Sequence, residues 1–293
     1  MRAVPLQPPT LNKTLIVPEL PEVELITRSL RQLLKGRAIT RAELLRPRLA
    51  PATSPREFAG VLRHRKFLDV VRRGKHILFL LDADLVLVTH LRMSGRFGYI
   101  DSGRELPRHT HALFNLDNDK LLVFSDQRHF GMMKLTWADQ LEDQPELRKL
   151  GVEPFSPDFS PERFRKLLAV SRRSVKEMLL DQTKLVGVGN IYASEALFRA
   201  RINPLAISAR LSRTRSLRLW EAILQVLSES IQHGSTITVD PENIDGSYYG
   251  GSYVGRWLVY ERENEPCAQC GRVIRRIVQN GRSTYYCPRC QRR

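Results

Sequence analysis

The chain is short of cysteine: its 293 residues include only four, all in its last tenth, so disulfides cannot hold most of it together. It also lacks an apolar run near the roughly 18 to 20 residues of a membrane span, which predicts a soluble protein with no membrane partner. No secretory segment is apparent, because Leu15-Ile16-Val17 is too short for a signal core. There is no internal repeat of useful length. Acidic residues are in deficit, 31 Asp plus Glu against 47 Lys plus Arg, and arginine outnumbers lysine. The resulting +16 charge favours a polyanionic partner over a merely solvated basic surface. The length suggests one large or two moderate domains, each able to bury its own core.

The four cysteines form two Cys-x-x-Cys turns, Cys267 with Cys270 and Cys287 with Cys290, sixteen residues apart. This is the spacing of a tetrahedral zinc site, each turn offering two thiolates at about 2.3 Å from the metal. Two disulfides are the alternative, disfavoured by the missing secretory segment. The intervening residues read as two strands around an Asn280-Gly281 turn, so the metal would staple the base of a hairpin. Four protein thiolates leave no position for a reactive water, so the single Zn²⁺ is expected to be structural.

Before Pro18 the chain is polar and patternless, an appendage over residues 1–17. From Pro18 onward Val23, Ile26, Leu30, Leu33 and Leu34 recur at helical spacing, with Pro21 and two glutamates in the first turn and Gly36 as the stop. Residues 38–137 read mainly as strands, among them His76–Leu81, Leu85–His90, Ala112–Leu116 and Leu121–Phe124. The expected fold is α+β: a helix on an antiparallel β-sandwich, then a helical domain carrying the zinc hairpin. Expected boundaries are 18–137 for the sandwich domain, 138–157 for a linker, 158–260 for the helical domain and 261–293 for the finger. Helices are expected at Pro161–Val170, Ser174–Leu180, Asn190–Ala200 and Leu211–His233. The Gly, Ser and Tyr stretch 245–255 reads as a loop over a ligand or a solvated connector.

Three signatures, Pro18-Glu-Leu-Pro-Glu-Val-Glu24, Val186-Gly-Val-Gly-Asn-Ile-Tyr-Ala-Ser-Glu195 and the four-cysteine finger, closely resemble those of the formamidopyrimidine-DNA glycosylase family. The resemblance runs from Pro18 almost to the C-terminus. It implies a bacterial base-excision repair enzyme acting on double-stranded DNA with an oxidised base. Such an enzyme removes 8-oxoguanine and formamidopyrimidines, then cleaves the abasic strand by β,δ-elimination. It further implies a helix-two-turns-helix domain, a monomer, and a cytoplasmic, nucleoid-associated location.

By the same resemblance Pro18 matches a nucleophile whose N-terminal amine forms a Schiff base, and Glu19 the acid that protonates the opening sugar. An α-amino group titrates near pH 8, so a useful neutral fraction exists at pH 7, unlike lysine at about 10.4. Lys75 matches a catalytic lysine used near the lesion phosphate and as an acid, Glu22 a supporting glutamate, and Arg282 a catalytic-site arginine gripping the flanking phosphates. Met93, Arg128 and Phe130 match residues that fill the void left by an extruded nucleotide; packing in the core is the plainer reading of Met93 and Phe130. His109, Arg172 and Asn190 match backbone-binding positions. The Gly187-x-Gly189 pair reads as a helix N-terminus whose free amides, with Asn190, hold a DNA phosphate. His129 and Gln127 depart from the family, where arginine and proline are common.

One departure bears on chemistry. Pro18 is internal as written, and an amide nitrogen cannot form a Schiff base. Val17 stands where an initiator methionine would, as valine does when a GUG start is read through, so the expected working chain begins at codon 17 and matures to Pro18. The alternatives are an endonuclease VIII-like enzyme for oxidised pyrimidines, against which Leu20 argues, and a non-catalytic damaged-DNA-binding protein if residues 1–17 are retained.

Overall fold

A computed structural model describes residues 17–235, 240–242 and 256–292. The appendage, except Val17, and the 245–255 loop lie outside the described residues. The first helix, α1 (Leu20–Leu34), buries Leu20, Val23, Ile26, Leu30 and Leu34 along one face, as its spacing predicts. Two four-stranded antiparallel sheets follow. One runs in the order β1 (Ile39–Leu44), β6 (Thr110–Leu116), β7 (Lys120–Asp126), β5 (Gly95–Asp101). The other runs β2 (Phe67–Arg73), β3 (His76–Leu81), β4 (Leu85–His90), β8 (Met132–Trp137). A short helix, α2 (Pro55–Leu62), packs on β1 and is started by a reciprocal Ser54/Glu57 cap.

Phenylalanines join the two sheets: Phe79 of β3 meets Phe97 of β5 at 5.3 Å between ring centroids, and Phe97 meets Phe124 of β7 at 5.1 Å, both edge-on. The four strands foreseen are present, with β6 starting earlier, at Thr110, and β7 extended at both ends, to Lys120 and Asp126. Strands β1, β2, β5 and β8 were not foreseen individually. In β1, β2 and β8 the apolar alternation is interrupted by charged or polar residues, as the burial of β1 (Ile39, Ala42, Leu44) illustrates.

The expected linker is not featureless: it carries a short helix, α3 (Pro145–Arg148), and Val152 bridges to Leu185. Glu153 fastens it to the sandwich. Its carboxylate accepts from Arg72 Nη1 at 2.8 Å, Arg73 Nη1 at 3.1 Å and the Gly74 amide at 2.5 Å. Arg72 in turn donates to Glu24 of α1 at 2.8 Å. The helical part comprises α4 (Pro161–Ala169), α5 (Val175–Leu180), α6 (Asn190–Arg199) and α7 (Arg213–Gln232), each within two residues of expectation at either end. α1 packs on both β2 and α7, so it lies at the seam between sandwich and helices. The hairpin β9 (Arg275–Gln279) and β10 (Arg282–Tyr286) turns through Asn280 and Gly281, both at positive φ, 46° and 73°.

Candidate active site and nucleic-acid interface

The start of α1 meets the start of α6. The Glu19 carboxylate accepts from the amides of Gly189 at 2.8 Å, Ile191 at 3.0 Å and Tyr192 at 3.4 Å. It thereby caps a helix 170 residues further along the chain. This corrects the expectation that those amides hold a DNA phosphate: they are already occupied by an acidic side chain. The Asn190 side-chain amide instead donates to the Ser283 carbonyl of the hairpin at 2.9 Å. The glycine pair now has a steric reason. A Cβ at Gly189 would lie 2.2 Å from Glu19 Cδ, and one at Gly187 would lie 2.6 Å from the Leu20 side chain.

Glu19 and Glu22 are 3% and 0% exposed. Burial pushes the Glu19 carboxyl up to about 7 and the Glu22 charge adds to the rise, while Lys75 and the α6 amides oppose it. Glu22 accepts from the Glu19 amide at 3.0 Å and from the Tyr192 hydroxyl at 2.7 Å, and that hydroxyl also lies 2.6 Å from Ser230 Oγ. Lys75 follows Gly74 in the β2–β3 turn, which Glu153 fixes. Burial lowers the Lys75 pKa and the Arg282 charge assists, with Glu19 and Glu22 opposing. Residues from distant parts of the chain, Glu19, Glu22, Lys75 and Arg282, therefore share one electrostatic neighbourhood beside Pro18.

Lys176 was missed in the sequence. It is 1% exposed, and its Nζ donates to Ser283 O at 3.1 Å and Thr284 Oγ1 at 2.7 Å, tying α5 to the strand that begins with Arg282. Burial lowers its pKa to about 7, with Glu19 opposing and Arg282 assisting. The available signal was a lysine set among the apolar residues Val175, Met178 and Leu179 of a short helix. Glu195 was likewise missed as a site support. Buried at the end of the second signature, it accepts from the amides of Leu258, Val259 and Tyr260 at 2.8–2.9 Å and anchors the chain entering the finger.

On the sandwich, Asp126 organises the segment carrying Arg128 and Phe130. Its carboxylate accepts from the Arg128 amide at 3.1 Å and the Gly131 amide at 2.6 Å, and is bonded to the hydroxyl of Ser94, the neighbour of Met93. Asp126 and Ser94 thus tie the segment carrying Arg128 and Phe130 to the turn that carries Met93. Phe130 is 53% exposed, which excludes the core-packing reading for it, and the Arg128 guanidinium lies 5.2 Å from its ring centroid. Met93 is half-buried. The turn before it depends on His90, whose Nδ1 accepts the Arg92 amide at 2.9 Å. Burial drives the His90 pKa down to about 2, with His76 assisting, so the ring is neutral and free to accept. His109 and Arg172 are exposed, on the sandwich and just before α5 respectively. His109 neighbours His129 at 5.6 Å, and His129 Nδ1 lies 2.9 Å from His111 Nε2.

At the hairpin base the four cysteine sulfurs lie within 4.8 Å of one another, with Cys267–Cys290 at 3.9 Å and Cys270–Cys287 at 3.4 Å. A tetrahedron with 2.3 Å bonds has edges of about 3.8 Å, so the set fits one zinc ion. Gln291 locks this base to the end of α6: it accepts the Cys287 amide at 2.8 Å and donates to the Ile202 carbonyl at 2.9 Å.

A buried carboxyl and lysine beside a proline, with a metal-stapled basic hairpin, define a nucleic-acid-processing protein of the helix-two-turns-helix and zinc-finger class. Three family models match in order: the formamidopyrimidine-DNA glycosylase N-terminal domain over residues 17–133, its H2TH domain over 150–241, and the zinc finger found in FPG and IleRS over 264–293. The chain belongs to the formamidopyrimidine-DNA glycosylase family. It is 42% identical to the formamidopyrimidine-DNA glycosylase of Pelotomaculum thermopropionicum over 277 residues, covering 94% of this chain and 99% of that one. The namesake from Heliobacterium modesticaldum is also 42% identical, over 279 residues, 94% of this chain and 100% of that one. Crystal structures of Lactococcus lactis Fpg with abasic-site DNA and with FAPY-dG DNA each superpose at a TM-score of 0.86 with 31% identity, covering 94% of this chain and 100% of theirs. No described helix is long and apolar enough to cross a membrane.

Proposed function

We propose that this chain is a base-excision DNA glycosylase that removes oxidised purines from duplex DNA and then cleaves the abasic strand. The observation that carries the reading is Glu19: a buried carboxyl raised to about 7, adjacent to Pro18 and beside Lys75. That value suits a group that must give up a proton near neutral pH. Glu19 protonates the opening deoxyribose while the Pro18 nitrogen bonds to C1′ and the damaged base departs. A secondary amine there yields an iminium ion directly, which acidifies the C2′ proton. Loss of that proton expels the 3′ phosphate, and a second elimination expels the 5′ phosphate.

Lys75 and Arg282 bind the phosphates flanking the lesion, Glu22 holds the Glu19 amide, and Met93, Arg128 and Phe130 enter the stack that the lesion leaves. His109 and Arg172 contact the DNA backbone, while Asn190 holds the hairpin through the Ser283 carbonyl. The zinc keeps Arg282 in place and takes no part in bond making. Residues 18–137, 158–260 and 261–293 act as catalytic domain, DNA-binding domain and finger. The enzyme works as a monomer in the bacterial cytoplasm, at the nucleoid.

The chemistry requires a free Pro18 amine, so the working chain starts at codon 17 and loses that residue. The family match beginning at residue 17, and relatives matched over essentially their whole length, support this start. The test is borohydride trapping on an 8-oxoguanine duplex with protein from its native host, followed by mass mapping. The expected product is an adduct on Pro18 as first residue. An unreacted protein with Met1 attached overturns the reading and leaves a damaged-DNA-binding protein.

A further inference from the structure

A cleft of about 480 Å³ lies at the base of the finger, against Cys270 and Cys290 of the cysteine cluster. Arg201, Arg215, Arg289 and Arg292 line it together with Cys270 and Cys290, and its walls contain no carboxylate. The hollow beside Arg282 differs in this respect, since Glu177 and Asp181 stand in its wall. Arg199, two residues before Arg201, is paired with Glu229 at 2.6 Å. None of the four cleft arginines forms an ion pair among the described residues, and Arg201, Arg289 and Arg292 are exposed. A zinc ion with four thiolates carries a net charge of about 2−, half of what four guanidinium groups supply. Offsetting the metal site therefore leaves a strongly positive hollow.

The local helix start points the same way. Helices α1, α2 and α4 carry Glu22, Glu57 and Glu162 in their first turns, where carboxylates are favoured. The α6 terminus has no such acid of its own and receives Glu19. The α7 terminus also lacks one, and its first turn holds Arg213 and Arg215. Positive side chains at the positive end of a 20-residue helix oppose folding slightly unless an anion joins them.

We propose that this cleft is a second nucleic-acid contact, binding the sugar-phosphate backbone of a duplex segment other than the one at the lesion site. Forked guanidinium groups match phosphate oxygens two at a time. An acidic peptide is the less fitting ligand, because the lining offers no aromatic or aliphatic anchor of the kind protein partners use. The position is also separate. Arg201 follows the C-terminus of α6, about 16 Å from Asn190 at 1.5 Å per residue. The cysteines lie a strand length, about 17 Å, from the hairpin tip. Engagement of two segments by one molecule would hold undamaged DNA close while a lesion is processed.

The proposal rests on the DNA-repair reading, and the test separates the two. Protein is saturated with a short duplex carrying a tetrahydrofuran abasic analogue, and a fluorescent undamaged duplex is then titrated in. Wild-type protein should bind the second duplex with steep salt dependence. The triple variant Arg201→Gln, Arg289→Gln, Arg292→Gln should weaken that binding at least about tenfold. It should also lower the logarithmic salt slope by about 2 to 3, near 0.9 for each phosphate left unneutralised. The matching Arg→Lys triple, which keeps the charges but loses the forks, should bind with intermediate affinity and keep the wild-type salt slope. Zinc content, and excision from a separate short duplex carrying 8-oxoguanine, should be unchanged in both variants. Three results overturn the proposal: no second duplex bound by the wild type, unaltered binding by the Gln triple, or capture of a polyglutamate peptide in place of the duplex. Failure of the repair reading would register separately, as absent excision by the wild type.

Discussion

The sandwich and the finger solve the same problem with different means. The sandwich buries Phe58, Phe67, Phe79, Phe97, Phe114 and Phe124 in and around the space between eight strands, and these side chains form an apolar core. The finger has two five-residue strands in which Val278 is 67% exposed, and among its described residues only Ile274 and Tyr285 join two cysteines as buried apolar contributors. A hairpin of that size is marginal in water unless something else holds it. Burial therefore supports the sandwich, whereas metal ligation supports the finger.

Zinc withdrawal should break this contrast most visibly. Cys287→Ser, or chelation, removes a ligand set of the kind that supplies about 10 to 16 kcal/mol of folding energy in small zinc domains. Unfolding of the whole protein is not expected, because the sandwich core contains no ligand. Duplex affinity should fall by roughly a hundredfold or more as the hairpin lets go of its phosphates, while circular dichroism retains the strand signal. Unchanged affinity would mean that the finger is not part of the DNA surface.

How much of this arrangement could be read beforehand follows the same division. The finger was legible because its determinants are local: two Cys-x-x-Cys turns and an Asn-Gly pair at the required positive φ. The face of α1 was legible from its spacing. What could not be read were contacts between elements far apart in sequence. Glu195 supports residues 258–260, Glu153 clasps the β2–β3 turn, and Lys176 holds the hairpin from beneath. The glycine pair shows the limit well. Its sequence announces a helix start with free amides, but only the fold reveals that Glu19 fills them.

The seam between the sandwich and the helices supplies an intermediate effect. Glu19 serves as an acid only while protonated, and its raised pKa of about 7 means that this form is lost as pH rises through neutrality. The Pro18 amine must instead be unprotonated, which favours pH above about 8. Single-turnover excision should therefore follow a bell centred between about 7 and 8. Glu19→Gln should lower the rate by about 10² to 10⁴ and remove the alkaline fall. An alkaline limb that survives in the variant would assign the acid to another group.

The smallest effect sharpens the comparison at equal chemistry. Val70 in β2 is 1% exposed and Val278 in β9 is 67% exposed. Valine to threonine keeps the shape of the side chain and replaces a methyl group with a hydroxyl. At Val70 that hydroxyl is carried into an apolar interior and should cost about 1 to 3 kcal/mol of unfolding free energy. At Val278 it stays in water and should change stability by less than about 0.5 kcal/mol. Denaturant titration of the two variants measures the difference directly. Equal costs would show that the exposed face of β9 is covered in the folded protein, and that the finger depends on burial as the sandwich does.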